Sequence, residues 1–95
     1  MSVAGTWKIR AAGRILILRL NEAGGPGVLE GDIAQEGGGD AQKVRIVDGR
    51  WNGNKVHWAV TEPVEATFDG EVSGKTMTGE VKTPWGSWPF EGTLL

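Results

Sequence analysis

One pattern constrains this chain more than any other: apolar-x-Gly-x-apolar, written five times. It occurs as Val3-Ala4-Gly5-Thr6-Trp7, Leu29-Glu30-Gly31-Asp32-Ile33, Phe68-Asp69-Gly70-Glu71-Val72, Met77-Thr78-Gly79-Glu80-Val81 and Phe90-Glu91-Gly92-Thr93-Leu94. Alternate residues of an extended chain share a face, so each glycine lies on the same side as its two apolar neighbours and points inward. A strand-interior glycine costs roughly 0.5–1 kcal/mol relative to alanine. Repeating that cost implies a geometric need, and a small closed sheet supplies one. Inward-facing small residues are required where strands coil sharply or where a large side chain crosses from the opposite wall. Sixteen glycines in all, without collagen's every-third spacing, agree with this.

Period-two alternation runs through the rest of the chain, and no window of helical length carries a 3.6-residue apolar stripe. Eight short strands are predicted, near 5–10, 14–20, 28–34, 42–50, 55–61, 64–72, 76–82 and 87–94. The connections carry turn chemistry: Ala11-Ala12-Gly13, the glycine-rich 21–27 and 35–40, Asn52-Gly53-Asn54, Glu62-Pro63, Ser73-Gly74-Lys75 and Thr83-Pro84-Trp85-Gly86. Asn52-Gly53-Asn54 suits the positive φ of a primed hairpin turn. Short hairpins in series make a meander, and closing a meander removes its two exposed edges. The predicted fold is therefore all-β, a small eight-stranded antiparallel up-and-down barrel, with a two-sheet β-sandwich as the alternative. Ninety-five residues fit a single domain, 1–95.

Two segments depart from simple alternation. In Arg14-Ile15-Leu16-Ile17-Leu18-Arg19-Leu20, the leucines share one face and Ile15 and Ile17 the other. A strand apolar on both faces is buried on both. The outer surface there is expected to be covered by a loop or by a second subunit, making Ile15 and Ile17 the candidate homo-oligomer contact. The sixth segment contrasts, with Glu65, Thr67, Asp69 and Glu71 all outward. In the fourth, Val44 and Ile46 face opposite Val47, and a bulge at Asp48-Gly49 would reset the alternation.

Several function classes lack the residues they need. Cysteine is absent, so there are no disulfides, thiolate metal sites or cysteine nucleophiles. His57 is the only histidine, expected to face solvent or to pack against Arg50 across its hairpin, and no metal or other cofactor is expected. Ser2, Ser73 and Ser87 are the only serines and none lies in a Gly-x-Ser-x-Gly turn. Glu30 and Asp32 are expected opposite Lys43 and Arg45 as ordinary cross-strand pairs. A net charge of −2 argues against a nucleic-acid partner. The longest apolar run, Ile15 to Leu18, is too short for membrane insertion. With Met1 followed by no basic-then-apolar leader, a cytoplasmic location is the expectation.

The aromatic residues remain. Trp7, Trp58 and Trp88 fall on inward positions, so a filled core of indoles over glycine floors is expected. Trp85 lies in a turn outside any strand, where no core demands it. A meander alternates its connections between two ends, which groups Trp85 with Trp88, Phe90 and the Gly37-Gly38-Gly39 stretch at one mouth.

The run Gly5-Thr6-Trp7, Asp48-Gly49 with Gly53-Asn54, Trp58, Phe68-x-Gly70-x-Val72-x-Gly74, Met77-x-Gly79-x-Val81 and Phe90-x-Gly92-Thr93 resembles a group of small glycine-rich bacterial β-barrel domains. These are mostly of unknown function, and some are appended to amidohydrolase-type enzymes. The resemblance covers most of the chain and implies a β-barrel without the hydrolase's own catalytic residues. Where that group has a threonine-proline-glycine segment after the first tryptophan, this chain has the shorter Arg10-Ala11-Ala12-Gly13-Arg14. By architecture the chain is also similar to the calycins (avidins, lipocalins and fatty-acid-binding proteins), a likeness that implies an interior suited to small ligands.

The leading expectation is a non-catalytic module that holds a small hydrophobic or aromatic ligand at a tryptophan-lined mouth. Trp85 and Trp88 would stack on the ligand above Phe68 and Phe90, with Trp7 and Trp58 beside them. The alternatives are a structural protein that forms homo-oligomers through its second strand, and a cofactor-free cyclase or isomerase needing an acid or base inside the barrel.

Overall fold

The computed structural model describes residues 3–37, 43–62 and 64–95. Its strands are β1 (Gly5–Ala11), β2 (Arg14–Glu22), β3 (Val28–Gln35), β4 (Val44–Arg45), β5 (Val47–Asn52), β6 (Lys55–Val60), β7 (Ala66–Ser73), β8 (Thr76–Thr83) and β9 (Gly86–Leu94). Sequential neighbours pair antiparallel except β4 and β5, which both pair with β3, and β9 returns to β1 with Trp7 opposite Leu94, Ile9 opposite Gly92 and Ala11 opposite Phe90. The sheet is thus a closed meander barrel of eight strands, in which β4 and β5 are two pieces of the fourth. Closure through β9–β1 and β2–β3 pairs the long strands on both sides, while the short β4 pairs with β3 alone.

The break in the fourth strand is a bulge. Val47 faces Ala59 on β6, but Arg50 faces His57, so Asp48 and Gly49 together span one residue of the partner. Asp48 takes the left-handed conformation (φ 55°) that such a bulge uses to re-aim the chain. The expected reset of alternation is therefore present. It also shifts the upstream register. Asp32 lies opposite Arg45 as anticipated, and Lys43 and Arg45 line one surface depression with Glu30 and Asp32. The sixth barrel segment, β7, begins at Ala66, two residues later than the alternation suggests, and the anticipated start of the fourth at Gln42 lies outside the described residues.

Turn chemistry sets the hairpins. Ala12 and Gly13 both have positive φ (51° and 75°), the type I′ signature, whereas Gly53 and Gly74 alone are positive in their loops, as type II′ requires. The core runs the length of the barrel. Trp7, Ile9, Leu18, Leu20, Trp58, Met77 and Phe90 are fully buried, and among the described residues no polar or charged one is. Trp58 stacks on Phe68 with centroids 4.9 Å apart and planes 10° from parallel, and Phe90 meets both edge-on at 5.7 Å.

The inward glycines divide into two uses. A Cβ on Gly92 would stand 2.7 Å from Ile9 Cδ1 and 3.6 Å from the Trp7 ring, so the missing side chain is space for an indole and its neighbour. A Cβ on Gly79 would instead fall inside the Asp69 carbonyl and 2.6 Å from Gly70 Cα. There the absent side chain lets two backbones coil tightly together. Gly5 differs from the other four, being exposed at the barrel end.

Candidate functional site: the indole rim and the outer trough

The C-terminal ends of β1, β3, β6 and β8 lie at one end of the barrel, as the meander requires. The loop after β8 has two residues, Pro84 and Trp85, with Thr83 opposite Gly86. Proline at the first loop position fixes φ near −65°, which rules out the primed turns that match hairpin twist. Trp85 is not among the residues with positive φ, so the turn is type I-like. Thr83 stabilises it from both sides: its Oγ1 accepts from the Trp85 backbone N–H (3.2 Å) and donates to the Gly86 carbonyl (3.1 Å).

This turn displays Trp85 in solvent, 72% exposed. Trp88 stands one turn of the pleat below, opposite Val81 on the inward row, and is 38% exposed at the rim. Its ring leans back over Gly86, 3.9 Å from where a Cβ would be. Val64, in the loop before β7, is exposed at the same end. Gly38 and Gly39, expected across this rim, lie outside the described residues.

The six aromatic residues expected at the mouth thus separate into two groups. Trp85 and Trp88 are accessible. Trp7, Trp58, Phe68 and Phe90 are buried in the core, so the structure does not bring them to the mouth. The Trp7 indole donates to the Val3 carbonyl (2.9 Å), whereas the enclosed Nε1 of Trp51 and of Trp58 has no hydrogen-bond partner among the described residues.

Ile15 and Ile17 are half-buried on the outer wall. Lys8, opposite Ile17 on β1, pairs with Glu36 beyond β3 at 3.7 Å. Glu36 donates its N–H to the Ile15 carbonyl (2.9 Å), which sets it beside Ile15. Because neighbouring strands are about 4.8 Å apart, these two side chains meet only by leaning over β2. Their aliphatic stems supply part of the cover that an apolar outer face needs.

A second feature lies on the opposite wall. An open trough of about 1180 Å³ crosses the outer face of β5 to β8, with Val28, Arg50, His57, Asp69, Thr78 and Glu80 among its lining. His57 is fixed here between two carboxylates: Nδ1 lies 2.6 Å from Asp69 Oδ1, and Nε2 lies 3.3 Å from Asp48 Oδ2, which Arg50 also reaches at 3.1 Å. The hairpin reading placed His57 beside Arg50 and missed both aspartates. Asp69 comes from the β6–β7 register, in which the two residues are directly opposed, and Asp48 is delivered by the bulge. Among the described residues, no group of three or more His, Asp or Glu side chains is arranged to hold a metal ion. No described helix is long and apolar enough to cross a membrane.

Comparison with protein-family models, with curated proteins and with solved structures finds no match to this chain.

Proposed function

We propose that this chain is a non-catalytic binding module whose barrel presents a small hydrophobic or aromatic molecule with an indole rim. The observation that carries the reading is the 72% exposure of Trp85 on a turn held by proline and by the Thr83 hydroxyl. A tryptophan left this open forgoes burial worth on the order of 3–4 kcal/mol. The core does not call for it, because its own aromatic cluster already fills the barrel. A pinned turn also lowers the ordering cost that a ligand must overcome.

The outer trough is the weaker candidate on chemical grounds. Its polar groups satisfy one another: both ring nitrogens of His57 face carboxylates and Arg50 is paired with Asp48. The alternative of an assembly protein joined through Ile15 and Ile17 draws on less open apolar surface, since both are half-buried and bridged by Lys8 and Glu36. An acid–base enzyme reading would have to use His57 and Asp69 on the outer wall, away from the barrel interior.

Titration with the neutral aromatic probe N-phenyl-1-naphthylamine tests the binding reading. Its emission is expected to rise with the wild-type chain, and to do so far less with Trp85→Ala at an unchanged unfolding midpoint. An equal rise with both proteins would overturn the assignment to this rim.

A further inference from the structure

Asn52 ends β5, and Gly53 opens the two-residue loop to β6, at the barrel end away from Trp85. We propose that this dipeptide is a site of spontaneous covalent modification, in which Asn52 loses its side-chain amide and the hairpin is unmade. The Gly53 amide nitrogen attacks the Asn52 side-chain carbonyl carbon. A C–N bond forms, and the side-chain nitrogen leaves as ammonia with the proton that Gly53 gives up. Water then opens the resulting succinimide at either carbonyl. One opening yields aspartate. The other yields isoaspartate, whose backbone runs through the side-chain carbon and leaves the α-carboxylate free. Water is the only co-reactant.

A glycine after the reacting residue favours this cyclisation, because no Cβ shields its nitrogen and its dihedrals are free. Three dipeptides have that sequence: Asp48-Gly49, Asn52-Gly53 and Asp69-Gly70. The fold separates them. Gly49 is buried against the Leu29 carbonyl, and Gly70 lies within the sheet between Val56 and Gly79. Asp48 is engaged by Arg50 and His57, and Asp69 by His57. A carboxylate also lacks the amide leaving group. Asn52 and Gly53 are instead both exposed, and nothing lies within 4 Å of where a Gly53 Cβ would stand. Gly53 is outside the β5–β6 ladder, which ends with Asn52 opposite Lys55, and its N–H donates none of the loop hydrogen bonds among the described residues. Asn21 and Asn54 are exposed as well, but Glu22 and Lys55 follow them.

The two products act differently on the barrel. Aspartate adds a charge opposite Lys55 and leaves the chain path unchanged. Isoaspartate adds a backbone carbon beside a two-residue loop that has no slack. The Asn54 carbonyl accepts from Val72 N–H at 2.7 Å, so the loop is also tied to β7. Trp51, next in β5 and packed against the core, is the first inward side chain to be disturbed.

The full chain is incubated in mildly alkaline buffer, native and in urea, and mapped by mass spectrometry with fragmentation that tells isoaspartate from aspartate. Asn52 is expected to convert in the native chain at a rate within about tenfold of that in urea, ahead of Asn21 and Asn54. Native protection far beyond tenfold, or earlier conversion at another position, would overturn the site. The purified isoaspartate form is then compared with Asn52→Asp. A lowered unfolding midpoint and a shifted Trp51 indole N–H resonance are expected in the isoaspartate form alone. The same behaviour in both proteins would overturn the loss of the hairpin. Neither result touches Trp85 or the rim.

Discussion

The tip of the Phe90 ring, Cζ, stands 2.9 Å from the point where a Cβ on Gly70 would be. Phe90 is on β9 and Gly70 on β7, with Gly79 of β8 directly between them in the ladder. The ring therefore lies across two facing glycines, and this is what the repeated motif accomplishes. The three inward positions respond differently to a methyl group. Gly79→Ala drives Cβ into the backbone of Asp69 and Gly70, which only separation of β7 from β8 relieves, so a loss of about 3 kcal/mol or more is expected. Gly70→Ala presses on a ring held edge-on by Trp58 and Phe68, for about 1–3 kcal/mol. Gly92→Ala meets the movable end of Ile9, and relief of the glycine entropy term offsets much of the cost, leaving a change within about 1 kcal/mol. Urea unfolding of the three variants checks the order Gly79, Gly70, Gly92.

The first hairpin holds a correctable flaw. Ala12 occupies left-handed space (φ 51°) at the first loop position of a type I′ turn, where a Cβ costs roughly 1 kcal/mol. Ala12 is exposed, so its replacement removes no packing. Ala12→Asn, which creates the Asn-Gly pair this turn favours, is expected to stabilise the barrel by about 0.5–1 kcal/mol in thermal or urea unfolding. Destabilisation would contradict the turn type.

On the outer wall, Asp69→Asn keeps the size of the side chain and removes the charge that faces His57 Nδ1 at 2.6 Å. Both groups retain access to water, so the loss is expected to be small, about 0.5–1 kcal/mol, and to shrink at 1 M salt. A double-mutant cycle with His57→Ala isolates the pair, and a coupling indistinguishable from zero would show that the contact is incidental.

The closed meander was readable because its determinants are local: alternation fixes which side faces in, and turn residues fix where the chain reverses. Gly53 and Gly74 announced their turns, and Asp48-Gly49 announced the bulge. What the sequence left out depends on register. His57 acquires Asp69 only through a pairing twelve residues away, and Asp48 only because an extra residue slides the fourth strand. Burial depth is similarly non-local. Trp88 and Phe90 are both inward by alternation, yet Phe90 is 2% exposed and Trp88 38%, because one lies opposite a glycine within the barrel and the other at its end. The ion pair of Lys8 with Glu36 over Ile15 and Ile17 likewise joins residues from opposite sides of β2.

Thr83 connects local structure to the proposed function most directly. Its hydroxyl makes both hydrogen bonds that clasp the Pro84-Trp85 turn, and both are solvent-exposed. Thr83→Val preserves the β-branched shape and deletes both bonds. Exposed hydrogen bonds of this kind contribute about 0.5–1.5 kcal/mol each at most, so the barrel is expected to stay folded with a stability loss near 1 kcal/mol. The rim is expected to lose more than the fold does. Freed of the clasp, the indole samples more orientations, and a ligand must order it on binding, which is expected to weaken N-phenyl-1-naphthylamine affinity about threefold to tenfold. Order parameters for the Trp85 indole N–H check the cause: they are expected to fall in Thr83→Val while those of Trp58, enclosed by Phe68 and Phe90, stay high. Weakened binding with an unchanged Trp85 order parameter would mean that the hydroxyl meets the ligand itself rather than holding the turn.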